Sequence, residues 1–271
     1  MDNINDMKAS KLYKYLDVDG GLTMLSNSNM QFTNATKLND PFDCHPSLID
    51  FSNVPEKQMR IWGKELVMKA ESSQFEQRRD SAWVCSLSKV NNSLLMWSYY
   101  SNHRGICIGL DMENTRRCIS KILCTVQIGA DEIEVQYKDI IEKPDFFKDK
   151  NDFYLWRYQL STKAKEWEHE QEVRLVLINP TPAIISNHSS MVTMALPYEP
   201  KDKTKAVDWR EVRAYRKIGG ECFESVYLGV NIDGDKRNEI IEVAKKLNPE
   251  IKIYQMKVDA NAFRLHTEQI Y

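Results

Sequence analysis

The chain lacks the marks of several large protein classes. No stretch of its 271 residues approaches the roughly 18 consecutive apolar residues of a membrane-crossing helix. Its opening, Met1-Asp2-Asn3-Ile4-Asn5-Asp6, is polar and has no apolar core of a signal peptide. The expectation is a cytoplasmic protein with no membrane partner. Charge of neither sign dominates, with 37 basic against 39 acidic residues and a net charge of −2. A global electrostatic footprint for nucleic acid or anionic lipid is thereby excluded, although a local basic patch is not. The six cysteines (Cys44, Cys85, Cys107, Cys118, Cys124 and Cys222) contain no C-x-x-C pair, and no spacing supports a zinc site. Cys85 and Cys107 lie in apolar runs and read as reduced, buried thiols, so no metal is expected. There is no internal repeat, no low-complexity tract and no shift of composition. Residues 1–271 therefore read as a single α+β domain.

What is present is an ordinary globular composition, 42% hydrophobic and 28% charged, long enough for a sizeable core. Leu12–Leu16 reads as a short strand that Gly20-Gly21 then breaks, and Met30–Ala35 is a second extended segment. Leu38-Asn39-Asp40-Pro41-Phe42-Asp43 carries a strong turn signal. Helical spacing of Met59, Trp62, Leu66 and Met68 predicts one helix over Val54–Arg79. Strands are expected at Ala82–Ser88, Ile106–Leu110, Ile133–Tyr137 and Glu172–Ile178, with helices at Leu94–Tyr100 and Asp152–Glu168. Pro180–Asp208 reads as irregular apart from a short strand at Met191–Leu196. A β-α-β unit closes the chain: Ser225–Gly229, a helix Asp235–Leu247 capped from Asp233, and Ile251–Val258. Trp83, Cys85, Ile106, Ile108, Leu175 and Leu177 are the expected core.

One stretch points to chemistry: Trp167-Glu168-His169-Glu170-Gln171-Glu172-Val173-Arg174, running into Leu175-Val176-Leu177-Ile178. Strand alternation turns Val173, Leu175 and Leu177 to one face and sets Glu170, Glu172 and Arg174 on the other. Two carboxylates and a guanidinium on an apolar strand are costly unless solvated, paired or used. The plain alternative is a solvated charge ladder in which Arg174 pairs with a glutamate. Trp97, Tyr100 and Met96 form an aromatic cluster whose helical spacing favours the core.

These segments together resemble a bacterial family of uncharacterised domains, of unknown function, met near phage-defence genes. The resemblance rests on Leu12-Tyr13-Lys14-Tyr15, Leu38–Asp43, Cys85-Ser86-Leu87-Ser88, Met96-Trp97-Ser98-x-Tyr100, Gly105–Ile108, Trp167-x-x-Glu170-x-Glu172-x-Arg174 and Tyr227-Leu228-Gly229. It implies a defence or toxin effector, with a partner protein of such a system.

Three of these elements also resemble the signatures of the ADP-ribosyltransferase superfamily, whose members bind NAD in a split mixed sheet. Tyr13-Lys14 would stand for the aromatic-basic pair of the opening strand, where His or Arg is the usual basic residue. Cys85-Ser86-Leu87-Ser88 resembles the serine-bearing strand, and Glu170-Gln171-Glu172 the E-x-E that starts a later strand. The resemblance implies a mixed, twisted, split sheet flanked by helices. NAD would be the substrate, held by Tyr13, Lys14, Tyr15, Ser86, Ser88 and Tyr100. Glu172 would steady the positive charge that develops on the ribose as nicotinamide leaves. Glu170 would orient or deprotonate the acceptor, whether protein, nucleic acid or water. Lys14 otherwise reads as an edge-strand lysine that discourages aggregation. Two other functions stay open. Asp40, Asp43, Glu170 and Glu172 could gather on one divalent cation as a nuclease, or the same cleft could serve a non-enzymatic nucleotide sensor or adaptor.

Overall fold

The computed structural model describes residues 9–126, 129–149, 151–178 and 213–271. In chain order the elements are β1 (Lys11–Leu16), α1 (Val18–Asn27), β2 (Asn29–Asn34), α2 (Glu56–Trp62), α3 (Lys64–Asp80) and β3 (Ala82–Ser88). Next come α4 (Leu94–Ser101), β4 (Ile106–Asp111), α5 (Met112–Val126), β5 (Gly129–Glu134), β6 (Gln136–Lys138), α6 (Phe146–Asp149) and α7 (Asp152–Ser161). The chain then forms β7 (Thr162–Ala164), a 3₁₀ turn at Lys165–Glu170, β8 (Glu172–Ile178) and β9 (Arg213–Lys217). It ends with β10 (Phe223–Leu228), α8 (Gly234–Leu247), β11 (Lys252–Val258) and β12 (Leu265–Gln269).

Among the described residues, ten strands join in one mixed sheet flanked by helices. Its main path runs β12-β11-β10-β4-β1-β3-β2-β9, with β8 on the other edge of β3 and β5 beyond β8. The β10-α8-β11 unit supplies the parallel pair, and the other ladders of this sheet are antiparallel. The sheet opens between β1 and β3, which share a single register pair, Tyr13↔Ser88. Farther along the same edge β3 pairs with β2, through Val84 and Trp83. Among the described residues, the strand edge around Ser86 is thus left without a ladder partner.

Both faces are covered, which explains the near-continuous apolar runs of β3, β4 and β8. On one face Leu12, Cys85, Leu87, Ile106, Ile108, Val173, Leu175 and Leu177 pack with Met24 and Leu25 of α1 and Ile240 and Ile241 of α8. Opposite, Val84 and Val176 pack with Phe75 of α3 and Leu155, Trp156 and Leu160 of α7. A third cluster joins Tyr15, Cys107 and Tyr227 to Met96 and Trp97 of α4. All six expected core residues are buried.

Several expectations need correction. Gly20 and Gly21 do not break the chain but lie in the first turn and a half of α1, which Asp17 caps by accepting the Gly20 amide, and Gly21 lets the helix approach Ile106 of β4 closely. The single helix over Val54–Arg79 is two helices, separated by Gly63 at φ 79. The apolar residues that suggested its spacing are largely on the outside: Met59, Trp62 and Leu66 are exposed, whereas Val67 and Phe75 are buried. The helix expected over Asp152–Glu168 stops at Ser161, where the backbone extends into β7 beside β6. That change of path carries Lys163 inward. β1 is a central strand, so Lys14 is no edge-strand lysine. Strand Met191–Leu196 lies outside the described residues. Among the described residues no helix is long and apolar enough to cross a membrane.

Candidate functional site

The face of the sheet that carries the second and third clusters turns polar between them. Along β8, Val176 belongs to the apolar cluster, and the next residues on its face, Arg174 and Glu172, are buried and charged. On β3 the cross-strand partners are Ser86 for Arg174 and Ser88 for Glu172. Since Ser88 also pairs with Tyr13, a row Tyr13–Ser88–Glu172 crosses three neighbouring strands. Directly opposed residues project to one face.

Glu170 reaches this face by another route. Gln171 adopts the left-handed conformation, φ 43, between the 3₁₀ turn and β8. Strand alternation does not apply across such a residue, yet the turn leaves both glutamates inward and buried.

The charges form a closed network. Arg174 holds Glu172 bidentately, through Nε and Nη2 at 3.0 Å each. Nη2 also donates to Asp43 at 2.8 Å, and Nη1 donates to the Leu160 carbonyl at 2.8 Å and to Cys44 Sγ at 3.2 Å. Every arm of the guanidinium has a partner, which is what a fully buried arginine requires. Lys163 donates to Glu170 and, at 3.1 Å, to Glu172, with Asp43 at 3.8 Å. Its ammonium also lies 5.0 Å from the centre of the Trp167 ring. Tyr100 donates its hydroxyl to Glu170 Oε1 at 3.0 Å, and Ser88 donates to the Glu170 carbonyl at 2.7 Å. Tyr137 accepts the Glu172 amide at 2.8 Å.

Electrostatics follow from burial set against these partners. Burial pushes Glu172 upward, but the charges of Arg174 and Lys163 and the hydrogen bonds from Arg174 and Ser86 outweigh it and hold the carboxyl at about 2. Asp43 moves the other way, raised by burial and by the neighbouring Glu172 against the pull of Arg174 and Lys163. Burial raises Tyr100, and its proximity to Glu170 adds to the shift. Lys163 is raised because the three carboxylates more than offset its desolvation. Burial pushes the Cys44 thiol up to about 12, so the sulfur is a neutral acceptor for Arg174.

A small cavity of about 30 Å³ opens beside the network. It is lined by Tyr13, Lys14, Tyr15, Ser86, Ser88, Tyr100, Glu170 and Glu172, with Leu87 and Met96. The eight residues nominated from sequence thus surround one cavity. They do not all address it alike. Lys14 leaves β1 by alternation on the face of Leu12, opposite Tyr13, and its ammonium crosses the opening in the sheet to the Ser86 carbonyl at 2.9 Å. Tyr15 gives its hydroxyl to the Val90 carbonyl at 3.0 Å and sets its ring edge-on to Trp97. Both tie the walls together.

Residues 96–175 match a family described as a protein of unknown function, DUF2971. The matched stretch contains Tyr100, Lys163, Glu170, Glu172 and Arg174, and leaves out Tyr13, Asp43 and the serines of β3. No curated protein and no solved structure matches the chain.

Sequence reasoning missed Lys163, which looked like part of a helix, and took Asp43 only as a metal ligand. A signal existed: Glu170, Glu172 and Arg174 sum to a negative charge, and burying them together requires another cation. The four-carboxylate metal arrangement is not formed. Asp43, Glu170 and Glu172 meet, but the ammonium of Lys163 stands among them. Asp40 caps its own turn by accepting the Phe42 amide at 2.9 Å.

Proposed function

We propose that this protein cleaves NAD at the nicotinamide–ribose bond and passes ADP-ribose to a macromolecule or to water, as an effector of the ADP-ribosyltransferase type. The observation that carries this reading is the cross-strand row Tyr13–Ser88–Glu172 beside the opening in the sheet. It joins the aromatic strand, the serine strand and the E-x-E strand that the superfamily resemblance requires to be neighbours. The position held by the Lys163 ammonium is one where two carboxylates stabilise positive charge. A ribose acquiring oxocarbenium character at that place meets the same Glu172. Glu170, hydrogen-bonded to the half-exposed Tyr100, addresses the acceptor, a protein or nucleic acid.

A cavity of about 30 Å³ holds roughly two waters, not a nicotinamide ring. Binding of NAD therefore requires Tyr100 and α4 to move outward and Lys163 to give up its bridge. The mutual pairing of these charges leaves a second reading, a non-enzymatic nucleotide sensor or adaptor in which the buried ion cluster is architectural.

Incubation with labelled NAD and cell extract in the presence of EDTA separates them. Nicotinamide release by wild type, falling roughly 10²–10³-fold in Glu172→Gln, supports transfer or hydrolysis. Equal release from both proteins removes Glu172 from the chemistry. NAD binding without turnover leaves the sensor reading, and urea unfolding of each variant shows that the comparison is between folded proteins.

A further inference from the structure

A second group of chemically capable side chains lies outside this cavity, where α5 meets the 3₁₀ turn that leads into β10. Cys118 and Cys222 face each other with their sulfurs 3.6 Å apart, although 104 residues separate them in the chain. The Glu221 carboxylate stands 3.7 Å from the Cys118 sulfur. One ligand atom from each of the three residues falls within 4.8 Å of the others.

We propose that Cys118, Glu221 and Cys222 bind a thiophilic divalent cation of the zinc class, with water as the fourth ligand. Two of the three ligand separations match the edges of a tetrahedron around such an ion, and the third lies within 4.8 Å. Zinc–sulfur bonds of about 2.3 Å give a sulfur–sulfur edge of about 3.8 Å, and a zinc–oxygen bond of about 2.0 Å gives a sulfur–oxygen edge of about 3.5 Å. Both observed separations lie within 0.2 Å of these edges.

The local backbone serves the arrangement. A Cβ on Gly219 would lie 2.0 Å from Glu221 Oε2, which shows the carboxylate folded back over the turn. The turn is closed by the Cys222 amide donating to the Gly219 carbonyl at 3.0 Å. Asn114 of α5 donates to the Glu221 carbonyl at 3.2 Å, which fixes the turn against the helix. Cys222 is buried, Cys118 half-buried and Glu221 exposed, which gives a cation and its water a path from solvent. On binding, the two thiol protons leave to solvent and both sulfurs coordinate as thiolates.

A disulfide is the competing use of the two sulfurs. It requires them to close to about 2.04 Å, and it assigns no role to a carboxylate turned toward Cys118. The cation would pin α5 to the entry of β10, independently of the cavity around Glu170 and Glu172.

The test is metal binding by the full chain, stripped with a chelator and kept under reductant. Competition titration with zinc is expected to show one ion per chain. Cobalt in its place is expected to give a thiolate charge-transfer band that falls by about half in Cys118→Ser. Glu221→Gln, at an exposed position that leaves the fold alone, is expected to weaken binding by at least the roughly 10–100-fold that outer-shell partners cost. Two results would each overturn the proposal: absence of stoichiometric binding by wild type, or wild-type affinity in both variants.

Discussion

Arg174 grips Glu172 through two parallel hydrogen bonds of 3.0 Å, and both side chains are buried. The pair sits two residues apart on β8, with Asp43 from the preceding turn region completing the guanidinium's carboxylate contacts. Removing one partner of such a pair leaves the other buried and uncompensated, at a cost of about 3–5 kcal/mol. Arg174→Met is therefore expected to lower the urea unfolding free energy by that amount. Arg174→Lys keeps the charge but loses the planar fork, and should recover only part of it. A loss under about 1 kcal/mol in Arg174→Met would mean that the network contributes little to the fold.

Acid should act on the same residue. Glu172 binds its proton less readily in the folded chain, at about 2, than at its ordinary 4.5. Its stabilisation is whole above 4.5 and drains away as pH falls toward 2. Asp43, raised by burial, has the opposite sign and gains stability as it takes up its proton. Urea midpoints of wild type and Glu172→Gln should therefore converge as the solution is acidified through this window. Midpoints that keep a constant separation would show that Glu172 is not held down in the folded state.

Lys163 is the shared counter-ion of Glu170 and Glu172. Lys163→Met should destabilise the chain, and adding Glu170→Gln should return part of the loss, since the second change removes the carboxylate left bare. A double-mutant cycle reads this as a coupling of roughly 0.5–3 kcal/mol. Strict additivity would contradict the bridge between the two side chains.

Much of this arrangement is legible in the chain because apolar runs are local signals. The strand Glu172–Ile178 and the closing β10-α8-β11 unit follow from runs of residues and from the Asp233 cap, which accepts from the amides of Asp235 and Lys236. The outer helices mislead for the same reason. Met59, Trp62 and Leu66 are spaced as a buried stripe, yet they face solvent, and Gly63 breaks the pattern with a backbone angle that no periodicity registers. The strand β12 and the helix α5 escaped notice because their apolar residues are sparse or interleaved with charge.

The candidate site divides along a similar line. Tyr13, Ser86, Ser88, Glu170 and Glu172 each stand out as a polar or aromatic exception in or beside an apolar strand, so they can be nominated individually. Lys163 cannot, and the ionic role of Asp43 emerges only when β7 and the Asp40 turn fold against β8. The Cys118–Cys222 pair is invisible to spacing rules, being assembled from a helix and a turn on opposite sides of the chain's midpoint.

On the NAD reading, Tyr100 and Glu170 govern the acceptor rather than the ribose. Tyr100 is 41% exposed, and its hydroxyl donates to Glu170 Oε1 at 3.0 Å. Tyr100→Phe removes that donor without touching the Arg174–Glu172 pair, so the charge that steadies the ribose is retained. Glu170→Gln removes the carboxylate expected to orient the acceptor. Both variants should therefore release nicotinamide at rates near wild type while attaching less ADP-ribose to macromolecules. The measurement is the ratio of attached to free ADP-ribose after incubation with labelled NAD and cell extract. If both variants modify the extract as efficiently as wild type, Glu170 does not address the acceptor. If both lose nicotinamide release as well, the two glutamates act as one buried unit with Lys163, and the division of roles between them fails.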